Sequence, residues 1–249
     1  MPTLQDFLTA FMLLTRLPVG WLGSGSSDLA RSVWAFPVVG LVVGLAGGFG
    51  YWLLHGIGVP AWLAASWGLA AILIVSGAFH EDGLADTADG FGGGRTRERK
   101  LEIMRDSRIG SYGAVVLALS LLIRIGALAA LERPHAVVAA LIAAAMAGRA
   151  AMIVPLLLLR PARTDGMASG MGHVPQWSAA LGLGLTGLVL LFLLPVGGAF
   201  AVAVSAGAAA LAVTWLVRAQ LGGHTGDTLG AVEVVVECVT LTVLTAVLR

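Results

Sequence analysis

The chain has 249 residues, of which 58% are hydrophobic and only 12% are charged, and its mean hydropathy is +0.91. Soluble domains are roughly half apolar and about a quarter charged, so the composition excludes an ordinary soluble protein and predicts an integral membrane protein. The formal net charge of +1 gives no indication of a nucleic-acid partner, and none is expected. A single cysteine, Cys238, excludes an intrachain disulfide framework.

In chain order, the first predicted element is Leu4–Leu17. It is too short to span a bilayer, and its arginine and flanking prolines predict a helix that lies in the membrane interface. Seven apolar runs then approach the roughly 20 residues that a membrane-spanning helix needs. They are Val33–Leu54, Ala61–Phe79, Ser111–Leu131, Ala136–Leu159, Ala179–Val196, Ala199–Val217 and Val232–Leu248.

These runs predict an all-α, polytopic membrane protein with about seven transmembrane helices plus the N-terminal interfacial helix. We expect one integral-membrane domain over residues 1–249, with a cytoplasmic catalytic loop at about 80–110. Many of the 34 glycines lie inside the runs. In lipid, small residues allow helices to approach closely, so we interpret these glycines as packing residues.

The basic residues predict the orientation of the helices. With the N-terminus inside, the inner segments hold eleven Arg and Lys residues and the outer segments hold two, Arg133 and Arg249. The positive-inside rule therefore predicts an N-in, C-out protein of the bacterial inner membrane. In this orientation, the polar segments His80–Gly110, Arg160–Trp177 and Arg218–Ala231 all face the cytoplasm and can form one site.

The charge is concentrated in one stretch. Glu81–Arg108 holds 13 of the 29 charged residues in 28 positions. Asp82, Asp86 and Asp89 are spaced i, i+4, i+7, which places them on one face of a helix. Like charges at this spacing repel, so we expect a divalent cation or the following arginines between them.

Carboxylate oxygens suit magnesium, manganese or calcium, and a lone histidine, His80, without a nearby cysteine disfavours zinc. A metal beside a basic cluster indicates phosphoryl transfer, in which the metal neutralises charge and arginines hold phosphate oxygens. Gly90 and residues 92–94 would let the backbone approach an anion. The alternative interpretation of this stretch is a solvated mesh of salt bridges.

Charged residues also fall inside the predicted spans, where they are costly and are functional candidates. Glu233 and Glu237 are predicted to complete a metal shell or to orient arginines. Arg149 lies roughly 15 Å from the inner end of its span at 1.5 Å per residue, within reach of a substrate anion or of Glu237. Arg124 lies toward the outer half of its span, and we interpret it as a structural residue that extends outward.

Two stretches, "GAFHEDGLADTADGFGGG" and "LEIMRDSRIGSYGA", resemble the signature of the cobalamin synthase family, the adenosylcobinamide-GDP ribazoletransferases. Three further pieces resemble the same family: "FLTAFMLLTRLPVG", "FPVVGLVVG" and "GGHTGDTLGAVEVVVE". The resemblance implies a magnesium-dependent membrane enzyme of late cobalamin synthesis. Such an enzyme transfers the adenosylcobinamide phosphoryl group from adenosylcobinamide-GDP to the 5′-hydroxyl side of α-ribazole, or to its 5′-phosphate, and releases GMP.

The resemblance also implies roles for individual residues. Asp82, Asp86 and Asp89 are predicted to bind one or two magnesium ions, with Glu81 and Glu233 as further candidate ligands. Glu81 ranks lower because an apolar residue often stands there in the family. The predicted catalytic residues are Asp82, acting through the metal, and Asp89, His80 and Asp106 as alternative general bases. The predicted substrate-binding residues are Arg95, Arg105, Ser107, Arg108, Arg149 and Asp227.

Two other functions fit the same features. A membrane phosphotransferase of the CDP-alcohol type would use similar metal chemistry. A divalent-cation transporter would line its path with Glu233, Glu237 and Arg149, but it should hold its acids near the bilayer midplane, whereas most acids here lie in one polar segment. The expected partners are the two small-molecule substrates and membrane lipid, and a homo-oligomer or a complex with other cobalamin-pathway enzymes is left open.

Overall fold

The computed structural model describes residues 1–24, 28–166 and 170–248. Over these residues the secondary structure is helical, and the β structure is limited to one bridge between Pro161 and His224. Eleven α-helices are described: α1 Leu4–Leu14, α2 Phe36–Gly56, α3 Ala61–Ser76, α4 Phe79–Gly93, α5 Arg97–Ile103, α6 Ser111–Leu131, α7 Pro134–Ala151, α8 Ile153–Leu158, α9 Gln176–Leu193, α10 Val196–Leu221 and α11 Gly226–Val247. Two short 3₁₀ helices, Val19–Leu22 and Leu29–Ala35, lie between α1 and α2.

The all-α membrane architecture is confirmed. Six helical segments among the described residues are long and apolar enough to cross a membrane, and a seventh results if α3 and α4 are counted as one broken span. The six segments are Leu29–Gly56, Ser111–Leu131, Pro134–Leu158, Gln176–Leu193, Val196–Leu221 and Gly226–Val247. The last span begins six residues before the predicted start at Val232, because Thr225 caps it by accepting a hydrogen bond from the Thr228 backbone N–H.

Helix α7 is the centre of the bundle, with 83% of its span buried. Helix α2 packs closely along it through glycines spaced four residues apart. A Cβ added to Gly44 would lie 2.7 Å from the Ile142 Cα, and one added to Gly40 would overlap the backbone carbonyl of Ala145. Glycine therefore brings two spans into backbone contact, as the sequence predicts for small residues in lipid.

The predicted second span, Ala61–Phe79, ends three residues early at Ser76. Gly77 and Ala78 both adopt left-handed backbone conformations, with φ of 68° and 53°, and helix α4 leaves the break at 89° to α3. Two successive residues of this kind cannot continue an α-helix. The polar segment thus begins at a sharp bend, and α4 is not among the six spans.

The segment predicted as a catalytic loop at about 80–110 is mostly helical, because α4 and α5 occupy residues 79–93 and 97–103. Helix α4 is amphipathic in an unusual way, since its buried face carries charged groups as well as Leu84 and Ala85. It packs between α11 and α6, and at Gly83 it touches the α11 backbone: a Cβ there would lie 2.7 Å from the carbonyl oxygen of Asp227. This contact fixes where the α4 aspartates lie.

Candidate functional site

Helix α4 carries the three predicted aspartates, and a cleft of about 480 Å³ opens along it. One wall of the cleft is α4 itself, and the opposite wall is the turn of residues 104–109 that leads into α6. The cleft brings together six charged or polar side chains from two stretches of the chain: Glu81, Asp82, Asp86, Arg105, Asp106 and Ser107.

The carboxylates of Asp82 and Asp86 line the cleft. One helical turn separates them, and neither side chain makes a hydrogen bond or an ion pair with another residue in the described ranges. Burial, followed by the charges of Asp82, Asp227 and Asp89, raises the pKa of Asp86 to about 7, while Arg163 opposes this rise. The negative charges therefore repel one another at a place where no protein cation neutralises them fully.

These two carboxylates fit a magnesium ion. Magnesium typically takes one or two protein carboxylates and completes its octahedral shell with water and substrate phosphates. The described residues contain no group of three or more His, Cys, Asp or Glu placed to hold a metal together, so the protein would contribute a small part of the shell. Such an open site leaves room for a diphosphate.

Asp89, the third predicted aspartate, has a different environment. Its carboxylate accepts hydrogen bonds from the backbone N–H groups of Gly110, at 2.7 Å, and Gly113, at 2.9 Å. A Cβ on either glycine would overlap this carboxylate, which explains the glycines of "RIGSYG". Asp89 thus caps the N-terminus of α6, and the structure does not bring it to the metal or general-base position predicted for it.

Behind the cleft, α4 is attached to the bundle through a buried ionic network. Arg124 on α6 donates to Glu81 at 2.8 Å and to Glu237 at 3.1 Å. Arg149 on α7 donates to Glu233 at 2.8 Å and to Glu237 at 3.3 Å. Both guanidiniums are 1% exposed, so these charges are paired inside the protein as intramembrane charges usually are.

The network changes the interpretation of Glu81, Arg124 and Arg149, and it agrees with the predicted alternative that Glu233 and Glu237 orient arginines. Glu81 and Glu233 are bound to arginines and are not free metal ligands. Arg149 binds acids and not a substrate anion, although its contact with Glu237 was anticipated. Arg124 points into the bundle and does not extend outward, because its partners, 43 and 113 residues away in sequence, lie on neighbouring helices. The acids predicted to line a transporter path are accordingly paired with guanidiniums.

His80 borders this network and not the cleft. It is 1% exposed, its Nδ1 lies 3.9 Å from Glu233, and its Nε2 has no hydrogen-bond partner within the described ranges. A general base must come within about 3 Å of the proton it takes. His80 is enclosed by protein, so the structure does not place it where a substrate hydroxyl would be.

The predicted substrate-binding residues are divided between the cleft and its rim. Arg105 reaches Asp165, with contacts of 2.6 and 2.8 Å, and Arg95 is exposed. Hydrogen bonds from Arg108 lower the pKa of Asp106 to about 2, so this carboxylate is a weak base at neutral pH. Ser107 lines the cleft beside them.

The three polar segments meet, as predicted. The backbones of Arg160 and Ala162 hydrogen-bond to His224 at 2.9 and 2.7 Å, which pins residues 160–163 to the start of α11. This bridge brings Arg163 to Asp227, with a separation of 3.2 Å. The Arg163–Asp227 pair could not be found from sequence spacing, because the partners lie 64 residues apart. In the sequence, Arg163 looks like a basic residue that anchors the end of a membrane span.

Comparisons with known proteins identify the family of this chain. The family model for cobalamin-5-phosphate synthase matches residues 6–245. Proteins named adenosylcobinamide-GDP ribazoletransferase from Bradyrhizobium diazoefficiens and Mesorhizobium japonicum are 46% and 44% identical, each over 98% of this chain and 94% of the relative. One from Rhizobium etli is 42% identical over 98% of this chain and 97% of its own length. No solved structure matches the chain. The chain therefore belongs to the cobalamin-5-phosphate synthase family.

Proposed function

We propose that this protein is a magnesium-dependent phosphotransferase that uses adenosylcobinamide-GDP as donor and α-ribazole, or its 5′-phosphate, as acceptor. The products are adenosylcobalamin, or its 5′-phosphate, and GMP. The observation that carries this proposal is the pair Asp82 and Asp86, two carboxylates free of protein partners in a cleft of about 480 Å³, in a chain that belongs to this family.

In the proposed reaction, a ribose hydroxyl oxygen of the acceptor forms a bond to the phosphorus that carries the cobinamide. The bond from that phosphorus to the bridging oxygen breaks, and GMP leaves with this oxygen. The family description names a product that is phosphorylated at position 5. When the acceptor is the 5′-phosphate, its 5′ oxygen is blocked, so we propose that another ribose hydroxyl attacks.

The protein's own residues bind and orient the reactants. Asp82 and Asp86 would hold the magnesium ion, and Arg105 and Ser107 on the opposite wall would contact the diphosphate oxygens. Magnesium, when bound, would neutralise the diphosphate and polarise the reacting phosphorus. Arg105 is available for this role because its present partner, Asp165, is in an exposed pair, and exposed pairs contribute little free energy.

We further propose that the cleft opens to the cytoplasm at the bacterial inner membrane. The positive-inside rule supports this orientation, since the eleven basic residues of the predicted inner segments include the six of Arg95–Arg108. Cysteine scanning with a membrane-impermeant thiol reagent would test it. A cysteine at exposed Arg95 should react in inverted vesicles and not in intact spheroplasts, and the reverse pattern would contradict the orientation.

Turnover by the purified full-length protein in nanodiscs tests the proposed function. Adenosylcobinamide-GDP and α-ribazole should yield a cobalamin and GMP only with magnesium, and CDP-activated lipid substrates should yield nothing. Asp82→Asn should lower the rate by at least roughly 100-fold, as loss of one charge-stabilising group does elsewhere. Glu98→Gln, a matched change of an exposed acid on α5, should keep the rate within about twofold. Near-normal turnover by a folded Asp82→Asn variant would contradict the metal assignment.

A further inference from the structure

A second cavity, of about 280 Å³, adjoins the start of α4. It is lined by the end of α1, the start of α4, Met152 after α7, residues 163–166, Met171 and the start of α11. Phe79 lines this pocket, while Ala78 and Glu81, its neighbours on α4, line the cleft. The first turn of α4 therefore borders both cavities.

The pocket has an apolar floor and a polar edge. Leu14, Met152 and Leu229 form part of the floor and are each at most 2% exposed. At the edge, His224 is 3% exposed, and its Nδ1 has no hydrogen-bond partner within the described ranges. A buried polar atom without a partner is costly, so this imidazole nitrogen is suited to bind a ligand group.

The polar edge of the pocket is also the edge of the carboxylate site. Asp227 and Arg163 line the pocket, and their charges act on Asp82 and Asp86 respectively. Arg163 uses one nitrogen for Asp227, at 3.2 Å, and its Nη1 is buried without a partner among the described residues. A ligand in the pocket would thus meet an unused guanidinium N–H next to the reacting centre.

We infer that this pocket binds the acceptor nucleoside, with the benzimidazole on the apolar floor beside His224 and the ribose toward Asp227. The inference rests on the proposed function. At about 280 Å³, the cavity lies just below the roughly 300–1,000 Å³ of pockets for drug-sized ligands, so it suits the small acceptor and is too small for a corrinoid. Arg163 then offers the unused N–H of its Nη1 to a 5′-phosphate, as a charge-assisted donor.

Chemistry distinguishes this occupant from the guanine of the donor. Guanine has a carbonyl, a ring N–H and an amino group on its edges, and those that face the apolar floor would be left without hydrogen bonds. A dimethylbenzimidazole has one free ring nitrogen and an otherwise apolar rim. The pocket offers one partner-free imidazole nitrogen and a floor of leucine and methionine, which matches the second ring system.

Gly226 provides a direct test. It lines the pocket, and a Cβ added there would meet no atom within 4 Å, so Gly226→Leu should fill the pocket without a clash. Gly172→Leu is the matched control, because a Cβ at this exposed glycine also meets nothing within 4 Å and Gly172 does not line the pocket. Size exclusion and circular dichroism in nanodiscs would verify that both variants fold.

Two measurements then distinguish failure of the pocket assignment from failure of the proposed function. Equilibrium dialysis of labelled α-ribazole, and KM values for both substrates, should show acceptor binding weakened by roughly 10–200-fold in Gly226→Leu, the range for a blocked apolar site. The donor KM and the Gly172→Leu control should change by less than about twofold. Wild-type turnover with an unchanged acceptor KM in Gly226→Leu would overturn the pocket assignment, as would an equal loss of donor binding. Wild-type binding of α-ribazole at this pocket without product would overturn the proposed function alone.

Arg163 tests the placement of the phosphate. Arg163→Gln should weaken α-ribazole 5′-phosphate about tenfold more than unphosphorylated α-ribazole, because only the first ligand uses the charged donor. Equal losses for the two acceptors would overturn the phosphate assignment. Dialysis of the two ligands reports this difference even if the altered Asp227 environment slows turnover.

Discussion

The buried network behind the cleft makes a quantitative prediction for Arg124→Met. The network contains three carboxylates, on Glu81, Glu233 and Glu237, and two guanidiniums. Arg124 lies 2.8 Å from Glu81 and 3.1 Å from Glu237 and is 1% exposed. Its removal leaves three carboxylates facing Arg149 alone. Breaking a buried ion pair by removing one partner costs about 3–5 kcal/mol, and methionine restores the volume but not the charge.

The control is Arg99→Met, which removes an equally short ion pair, Arg99–Glu102 at 2.7 Å, whose side chains are 58% and 69% exposed. Exposed pairs contribute about 0–1 kcal/mol. The free energy of unfolding, measured by SDS titration of the detergent-solubilised protein with helical circular dichroism, should therefore fall severalfold more for Arg124→Met than for Arg99→Met.

A double variant isolates charge from packing. In Arg124→Met/Glu81→Gln, two carboxylates face one guanidinium, which restores the wild-type excess of one negative charge. The double variant should recover more than half of the stability that Arg124→Met loses, because the uncompensated buried carboxylate is gone. If its loss instead equals the sum of the two single losses, the residues do not act as an ion network and the reasoning is refuted.

Three further outcomes follow from the site. Asp89→Ala should lose about 1–2 kcal/mol in the same SDS titration, because α6 loses its cap; unchanged stability would contradict the capping role. Gly83→Val should separate α4 from α11 and lower both stability and turnover, since even a Cβ at Gly83 would lie 2.7 Å from the Asp227 carbonyl oxygen; full activity would contradict the close contact. The raised pKa of Asp86, about 7, means that magnesium competes with a proton below neutral pH. The apparent magnesium dissociation constant should therefore rise about tenfold per pH unit below 7, in Mg²⁺ titrations of turnover after EDTA treatment. Asp86→Asn should remove this slope, and a slope that persists would assign the proton to another group.

Much of the fold could be predicted from the sequence, because apolar length reports membrane spans directly. The break after Ser76 could not be predicted, since the left-handed turn at Gly77–Ala78 replaces the last residues of an apolar run that looks continuous. Residue 83 illustrates the same difficulty, because a glycine in a polar helix gives no sign that another backbone lies against it.

The site was predicted in part. The i, i+4, i+7 spacing correctly places three aspartates on α4, but spacing alone cannot tell that Asp89 faces the N-terminus of α6 while Asp82 and Asp86 face the cleft. The pairing of Glu81 with Arg124 is likewise invisible, because side chains 43 residues apart are brought together by helix packing and not by local pattern. Ion-pair partners that are distant in sequence therefore determine which acids remain available to bind a metal.

Helix α4 is thus anchored at both of its ends. Glu81 is tied to the bundle near the first turn, Asp89 is tied to α6 near the last, and the two unpartnered carboxylates lie between these attachments. A helix held in this way forms a fixed wall of the cleft. The separation of Asp82 and Asp86 is therefore set by the bundle, whereas residues 105–109 of the opposite wall are mostly exposed and carry the side chains that a substrate would meet from solvent.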